Sequence, residues 1–136
     1  MTGYLLDTNV LSELVRKRPA EQVIDRLKSI PPEFLTTSSV CVMELRYGAA
    51  RHPQGNALWK RISEEVLPRV RIVPLGPDEA ERAGDLISLL ESQGSPIGLE
   101  DILIGATALT QGFTMVTRNL KHFERIDGLA VESWWA

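Results

Sequence analysis

The sequence predicts an α/β protein with a parallel sheet. Short apolar runs suited to buried strands alternate with longer segments of helical periodicity along the whole chain, which argues for helices on both faces of the sheet. At 136 residues with 43% hydrophobic content, the chain fits one domain, residues 1–136, able to bury a sizeable core. No repeat, linker or low-complexity tract interrupts it.

"YLLD" is a first strand, and "TNVLSELVRKR" follows with Val10, Leu11, Leu14 and Val15 in helical register, stopped before Pro19. Residues 20–30 place Val23, Ile24, Leu27 and Ile30 on one helical face, and Pro31-Pro32 end that helix. "EFLTTSS" is a second strand. "SSVCVMELRYGAARH" is a helix capped by Ser38 or Ser39. "NALWKRISEEVLP" is another, with Leu58, Trp59, Ile62 and Val66 at helical spacing, and "RVRIVPL" is a third strand. Residues 77–93 form a helix with Pro77 in its first turn and Gly94 beyond its end. The helix "LEDILIGATALTQ", the strand "FTMVT", a turn of helix "LKHF" and the strand "LAVESW" complete the pattern.

The formal net charge of -3, from 15 Lys and Arg against 18 Asp and Glu, provides no global positive field, so a polyanion needs a local basic patch. Cys41 is the only cysteine, which excludes an internal disulfide framework and a cysteine-rich zinc site and suits a reducing, cytoplasmic setting. Neither a signal peptide nor an apolar run of membrane-spanning length is expected.

In a parallel α/β sheet, functional groups gather at the carboxyl ends of the strands, where strand order reverses. Asp7 follows the first strand; as a lone residue it reads equally well as a helix cap. Glu44 lies on the side of its helix shared by Val40, Tyr47 and Gly48, at about 100° per residue. That helix is apolar almost all round, so Glu44 is expected to be partly buried and to need a cation, a hydrogen-bond donor or a raised pKa; an ion pair with Arg46 or Arg51 is the plain alternative. Asp101 shares a face with Ile104, Gly105 and Ala108 and looks inward, while Glu100, in line with Leu103, Thr107 and Gln111, looks outward. Small Gly105 and Ala108 are expected to let that helix approach the sheet. Asn119 follows the strand "FTMVT" and alone reads as an N-cap. Three inward acids and an amide at one sheet edge are hard to ascribe to unrelated causes. Carboxylates about 5 Å apart repel by roughly 3 kcal/mol at an effective dielectric of 20. Such a cluster holds protons or a hard divalent cation.

Four stretches, "LLDTNVLSEL", "SSVCVMELRYGA", "IGLEDILIGATAL" and "MVTRNLKHFERIDGL", in this order and spacing, resemble the four motifs of the PIN-domain ribonucleases, most closely the VapC-like toxins of prokaryotic toxin-antitoxin pairs. The likeness covers essentially the whole chain. It implies a Rossmann-like α/β/α sandwich with a five-stranded parallel sheet, a homodimer, an RNA substrate and a cognate antitoxin that occludes the site. It also implies that Asp7, Glu44 and Asp101 hold one or two Mg²⁺ ions, with Mn²⁺ able to substitute, and that metal-activated water attacks the RNA phosphate in line. Asp7 and Asp101 are the expected direct ligands, and Glu44 is suited to orient the water or take its proton. Asn119 takes a fourth position that is acidic in many relatives, so it offers a neutral oxygen there. Thr8 and Thr117 are expected to bind phosphate, to tie down the carboxylates or simply to form local turns, and Arg46, Arg118 and Lys121 to supply local basic surface or to be ordinary solvated charges. His52 and His122, isolated in the sequence, receive no general-base role. Trp59 and the Trp134-Trp135 pair suggest aromatic surface for partners, with Trp59 alternatively a core residue.

Two rival functions remain open at this stage. A haloacid-dehalogenase-like phosphatase also places an Asp after its first strand but wants a second Asp where this chain has Asn9. A non-catalytic partner of a DNA-binding antitoxin in autoregulation is the other; no helix-turn-helix is evident.

Overall fold

The computed structural model describes residues 3–135. Its five strands, β1 (Tyr4–Leu6), β2 (Leu35–Ser38), β3 (Arg71–Val73), β4 (Thr114–Val116) and β5 (Val131–Glu132), form one sheet in the order β3-β2-β1-β4-β5. Every neighbouring pair is parallel. The chain steps outward from β1 through β2 to β3, then returns to the other side of β1 for β4 and β5, so strand order reverses between β1 and β4. This is where an open α/β sheet forms a crevice.

Because successive side chains of a strand point to opposite faces, β1 and β4 each serve two cores. Leu5, beside Met115 in the sheet, joins a cluster with Val40, Leu86, Leu90, Ile104 and Phe123; Leu6, beside Val116, joins another with Val10, Leu11, Val23, Leu27, Ile62 and Trp134. Among the described residues there are seven α-helices, α1 (Thr8–Glu13), α2 (Glu21–Ser29), α3 (Ser39–Arg51), α4 (Gly55–Arg61), α5 (Pro77–Ser92), α6 (Leu99–Gln111) and α7 (Leu120–Phe123), and they supply most of these partners; Ile62 follows α4, whose Leu58 and Trp59 pack against the second cluster, and Trp134 follows β5. The result is an α/β/α sandwich.

Several boundaries differ from the sequence reading; β2 and β3 are shorter than "EFLTTSS" and "RVRIVPL", and a 3₁₀ turn takes Pro32–Phe34. The first helix stops at Glu13 rather than running on to Pro19, because the Glu13 side chain turns inward and accepts from the Ala20 N–H and from Arg16, which folds the following segment back. After Arg61 the fourth helix widens into a π turn over Ile62–Val66 and then tightens into a 3₁₀ turn over Leu67–Arg69. Pro68 accounts for this: it has no N–H to give, and its ring displaces the carbonyl four residues earlier. The final strand is confined to Val131–Glu132. Ser38 is the cap of α3, its Oγ accepting from the Cys41 N–H at 3.1 Å, while Ser39 accepts from the Leu75 N–H.

Candidate active site

Asp7 leaves β1 at the point of strand reversal, where its N–H donates to the Val116 carbonyl of β4 at 2.9 Å. Its carboxylate is buried and accepts from the Thr8 N–H at Oδ1 (2.8 Å), and from the Thr117 hydroxyl (2.7 Å) and the Asn9 amide (3.3 Å) at Oδ2. Asp7 therefore does cap α1, but the cap accounts for only one of its bonds. Burial pushes its pKa up to about 6; the bonds from Thr117 and Thr8 oppose that rise, and the charges of Asp101 and Glu44 add to it.

Glu44 reaches the same place from α3 and is half-buried, as its helical position suggests. The surroundings differ from expectation: Val40 is buried, but Tyr47 is 59% exposed and the space beside Gly48 is open. Glu44 thus sits on the border between the buried and solvent sides of α3. The alternative ion pairs do not form, since Arg46 lies over the Trp59 ring and Arg51 over Tyr47. Instead the Thr8 hydroxyl donates to Glu44 Oε1 at 2.5 Å. Burial is the main cause raising the Glu44 pKa, with Asp101 and Glu100 adding to it against the Thr8 bond. Cys41 lies beneath the pair: one ligand atom from each of Asp7, Cys41 and Glu44 falls within 4.8 Å of the others. Burial holds the thiol protonated, so it adds no charge.

Asp101 enters from the first turn of α6. It is partly exposed, raises the pKa of both Asp7 and Glu44 through its charge, and meets His122 Nδ1 at 2.7 Å through Oδ2. Glu100 is exposed, although Thr107 on its stripe is fully buried, its hydroxyl turned back to the Leu103 carbonyl. The small face of α6 packs otherwise than expected. A Cβ at Gly105 would stand 2.5 Å from Ile126 Cδ1 and 3.5 Å from Phe123 Cδ1, so the missing side chain admits α7 and its following turn. One helical turn earlier, the same face presents Asp101 to His122.

Asn119 is exposed at the start of α7, and its side chain makes no capping bond; its N–H donates to Thr117 Oγ1 at 2.9 Å. Thr117 is fully buried and bridges Asp7 to that backbone. The hydroxyls of Thr8 and Thr117 are thus directed at carboxylates. Arg118 and Lys121 line a depression with Asn119 and His122, and the Arg118 guanidinium stacks over Trp135. Arg46, on Trp59, borders a different hollow with His52 and Pro53.

The tryptophans are not spare surface. Trp134 is buried against Tyr4, and Trp59 and Trp135 lie under arginines. Among the described residues, the large exposed apolar side chains are Met43, Tyr47, Ile72, Leu89 and Leu99. Sequence reasoning missed His122, which has no neighbour in sequence to pair with, and Glu13. Burial pushes the Glu13 carboxyl up, but the Ala20 N–H and Arg16 outweigh it and hold its pKa below the usual range. The apolar spacing around "LSEL" signalled that this acid shares a helix with core residues, without showing its partners.

Among the described residues, none of the ion pairs involves Asp7 or Glu44. Two desolvated carboxylates with a third acid nearby and no neutralising base form a donor set suited to a hard divalent cation. Hydroxyls and a backbone N–H already fix the carboxylates, so little reorganisation is needed to receive one. An acid site of this kind, at the strand reversal of a parallel sheet, is a candidate metal site in an α/β protein.

The chain belongs to the PIN domain family, whose model matches residues 4–129. It is 35% identical to Ribonuclease VapC2 of Haemophilus influenzae, over 98% of this chain and 99% of that protein. It is 34% identical to Toxin FitB of Neisseria gonorrhoeae, over 96% and 97% of the two chains. The structure of VapBC2 from Rickettsia felis, bound to a DNA fragment from its promoter, matches with a TM-score of 0.87 and 28% identity, covering 96% of this chain and 98% of that one. Among the described residues, no helix is long and apolar enough to cross a membrane.

Proposed function

We propose that this chain is an endoribonuclease, the toxin of a toxin-antitoxin pair, and that it cleaves RNA phosphodiesters with Mg²⁺ or Mn²⁺ held by Asp7, Glu44 and Asp101. The observation that carries the metal assignment is the buried Asp7 carboxylate, pushed to about 6 beside Glu44 with no basic partner. When bound, a divalent ion supplies an activated water and neutralises charge developing on the phosphate. The chain's own groups do the rest. Thr117 and Thr8 hold Asp7 and Glu44 in place, and Glu44, half-exposed with a raised pKa, is suited to take a proton from water. Arg118 and Lys121, on the open side of the site, are placed to meet the phosphate backbone. A single PIN domain, residues 1–136, carries this activity in the cytoplasm.

A cognate antitoxin and a second copy of the chain are the partners in this reading. Light scattering that finds only monomer at micromolar concentration removes the homodimer. The phosphatase reading fails on Asn9, whose amide donates to Asp7 while its oxygen accepts the Arg118 N–H, leaving no acid for a leaving group. The decisive measurement is RNA cleavage by purified protein with Mg²⁺, with Mn²⁺ and with chelator. Cleavage restored from chelator by Mg²⁺ is expected. A folded protein that binds its antitoxin and promoter DNA but cuts no RNA under any of these conditions would replace this function with a non-catalytic regulatory one.

A further inference from the structure

The pairing of His122 with Asp101 has no role in the account above. An ionised carboxylate only accepts hydrogen bonds, so the contact at 2.7 Å requires the imidazole proton on Nδ1. His122 is half-exposed and Asp101 much less so, and neither has another side-chain hydrogen bond among the described residues. The Asp101 carboxylate is therefore oriented from one side only. The imidazole reaches it because α7, just four residues long, is seated by Phe123 and Ile126 in the space left by Gly105, on the face of α6 that also carries Asp101. Asp7 is fixed by three donors and Glu44 by one short bond; without His122 the third acid would swing freely about its χ angles.

We infer that His122 is a positioning residue: by holding Asp101 Oδ2 it fixes the orientation of a carboxylate whose charge is felt at Asp7 and Glu44 and which would help them hold a divalent cation. This rests on the metal assignment proposed above. Outer partners of this kind orient a ligand that they do not replace, and their loss typically weakens metal binding by about 10- to 100-fold.

The test is Mn²⁺ binding to the full chain, followed by calorimetry and by the electron paramagnetic resonance of free Mn²⁺. His122→Ala is expected to weaken binding by about 10- to 100-fold without moving the metal-free melting temperature. His122→Asn, whose amide can take the place of Nδ1–H, is expected to restore most of the affinity, and His122→Gln, which mimics Nε2, is not. In an Asp101→Asn background His122→Ala should add nothing, since the oxygen it orients no longer carries charge. Unchanged Mn²⁺ affinity in His122→Ala overturns the inference and leaves the metal site standing, as does an equal loss in the Asp101→Asn background. A wild-type chain that binds no Mn²⁺ overturns both.

Discussion

The two sides of the candidate site are built differently. On the β1–β4 side, Asp7 and Thr117 are buried, joined to each other, and tied to the sheet by backbone bonds. On the α6–α7 side, Asp101, Asn119 and His122 stand at or near the surface, held by one side-chain contact and the docking of a four-residue helix. The buried side trades electrostatic cost for fixed geometry, because desolvation there raises a carboxyl pKa that hydrogen bonds only partly restore. The open side carries little such cost and is where a large anionic substrate can enter. Substitutions on the two sides should therefore differ in what they do to stability even where they do the same to activity.

The largest contrast comes from Asp7→Asn and Asp101→Asn. Both should lower RNA cleavage by more than the roughly 100-fold that loss of an outer partner costs, but only Asp7→Asn should stabilise the metal-free fold appreciably. The Asp7 carboxyl holds its proton more tightly folded, with a pKa of about 6, than at its ordinary 3.8. Its ionisation therefore opposes folding, by nothing below pH 4 and by an increasing amount as pH rises through 6, reaching up to about 3 kcal/mol at neutral pH. Denaturant melts of Asp7→Asn against wild type should show a gain at pH 7 that disappears by pH 4. Full cleavage by both folded variants would remove these acids from the site.

Thr117→Val keeps the shape of the buried side and deletes its clamp. The metal-free protein should lose about 1.5–3 kcal/mol, the usual range for a hydrogen bond to a charged group. The acid limb of its cleavage profile at subsaturating Mg²⁺ should move to higher pH, because the bond that holds the Asp7 pKa down is gone. A limb that stays where it is in wild type would show that Asp7 does not set it.

Asn119→Asp sharpens the open side by adding a carboxylate where the amide makes no capping bond. If position 119 faces a second metal, the variant should tighten that metal's binding and gain more melting temperature from added Mg²⁺ than wild type does. Superimposable Mg²⁺ titrations would limit the site to its three acids. The smallest effect is expected of Glu100→Gln, whose carboxylate is exposed and reaches Glu44 only through its charge. Its cleavage rate should stay within a few-fold of wild type, and a loss matching Asp101→Asn would overturn the distinction between these neighbours.

How much of this was legible in the sequence depended on the distance over which each feature is encoded. The strands and most helices follow from local periodicity, and helical facing separates Asp101 from Glu100 without any structure. The early end of α1 was not legible because it depends on Glu13 finding the Ala20 N–H, and the widened turn before Pro68 was hidden by an unbroken apolar period. The threonine hydroxyls had three roles open to them until Asp7 and Glu44 were seen to accept from them. His122 was invisible for a related reason. Twenty-one positions separate it from Asp101, and four helical residues are too few to display a face.

The central position of β1 also determines when the site comes into being. Asp7 lies near the amino terminus, yet Thr117, its clamp, is 110 residues further on, and Asn9 waits on Arg118 across nearly the same interval. Chains emerge from the ribosome amino end first, so the first acid is exposed well before the strand that completes its surroundings is made. A nascent chain has no assembled cutting centre, however much of its helical scaffold has formed. For a protein proposed to destroy RNA, made by a machine built of RNA, the order of strands serves as a delay: the ribosome must make β4 and the turn after it before the weapon can fire.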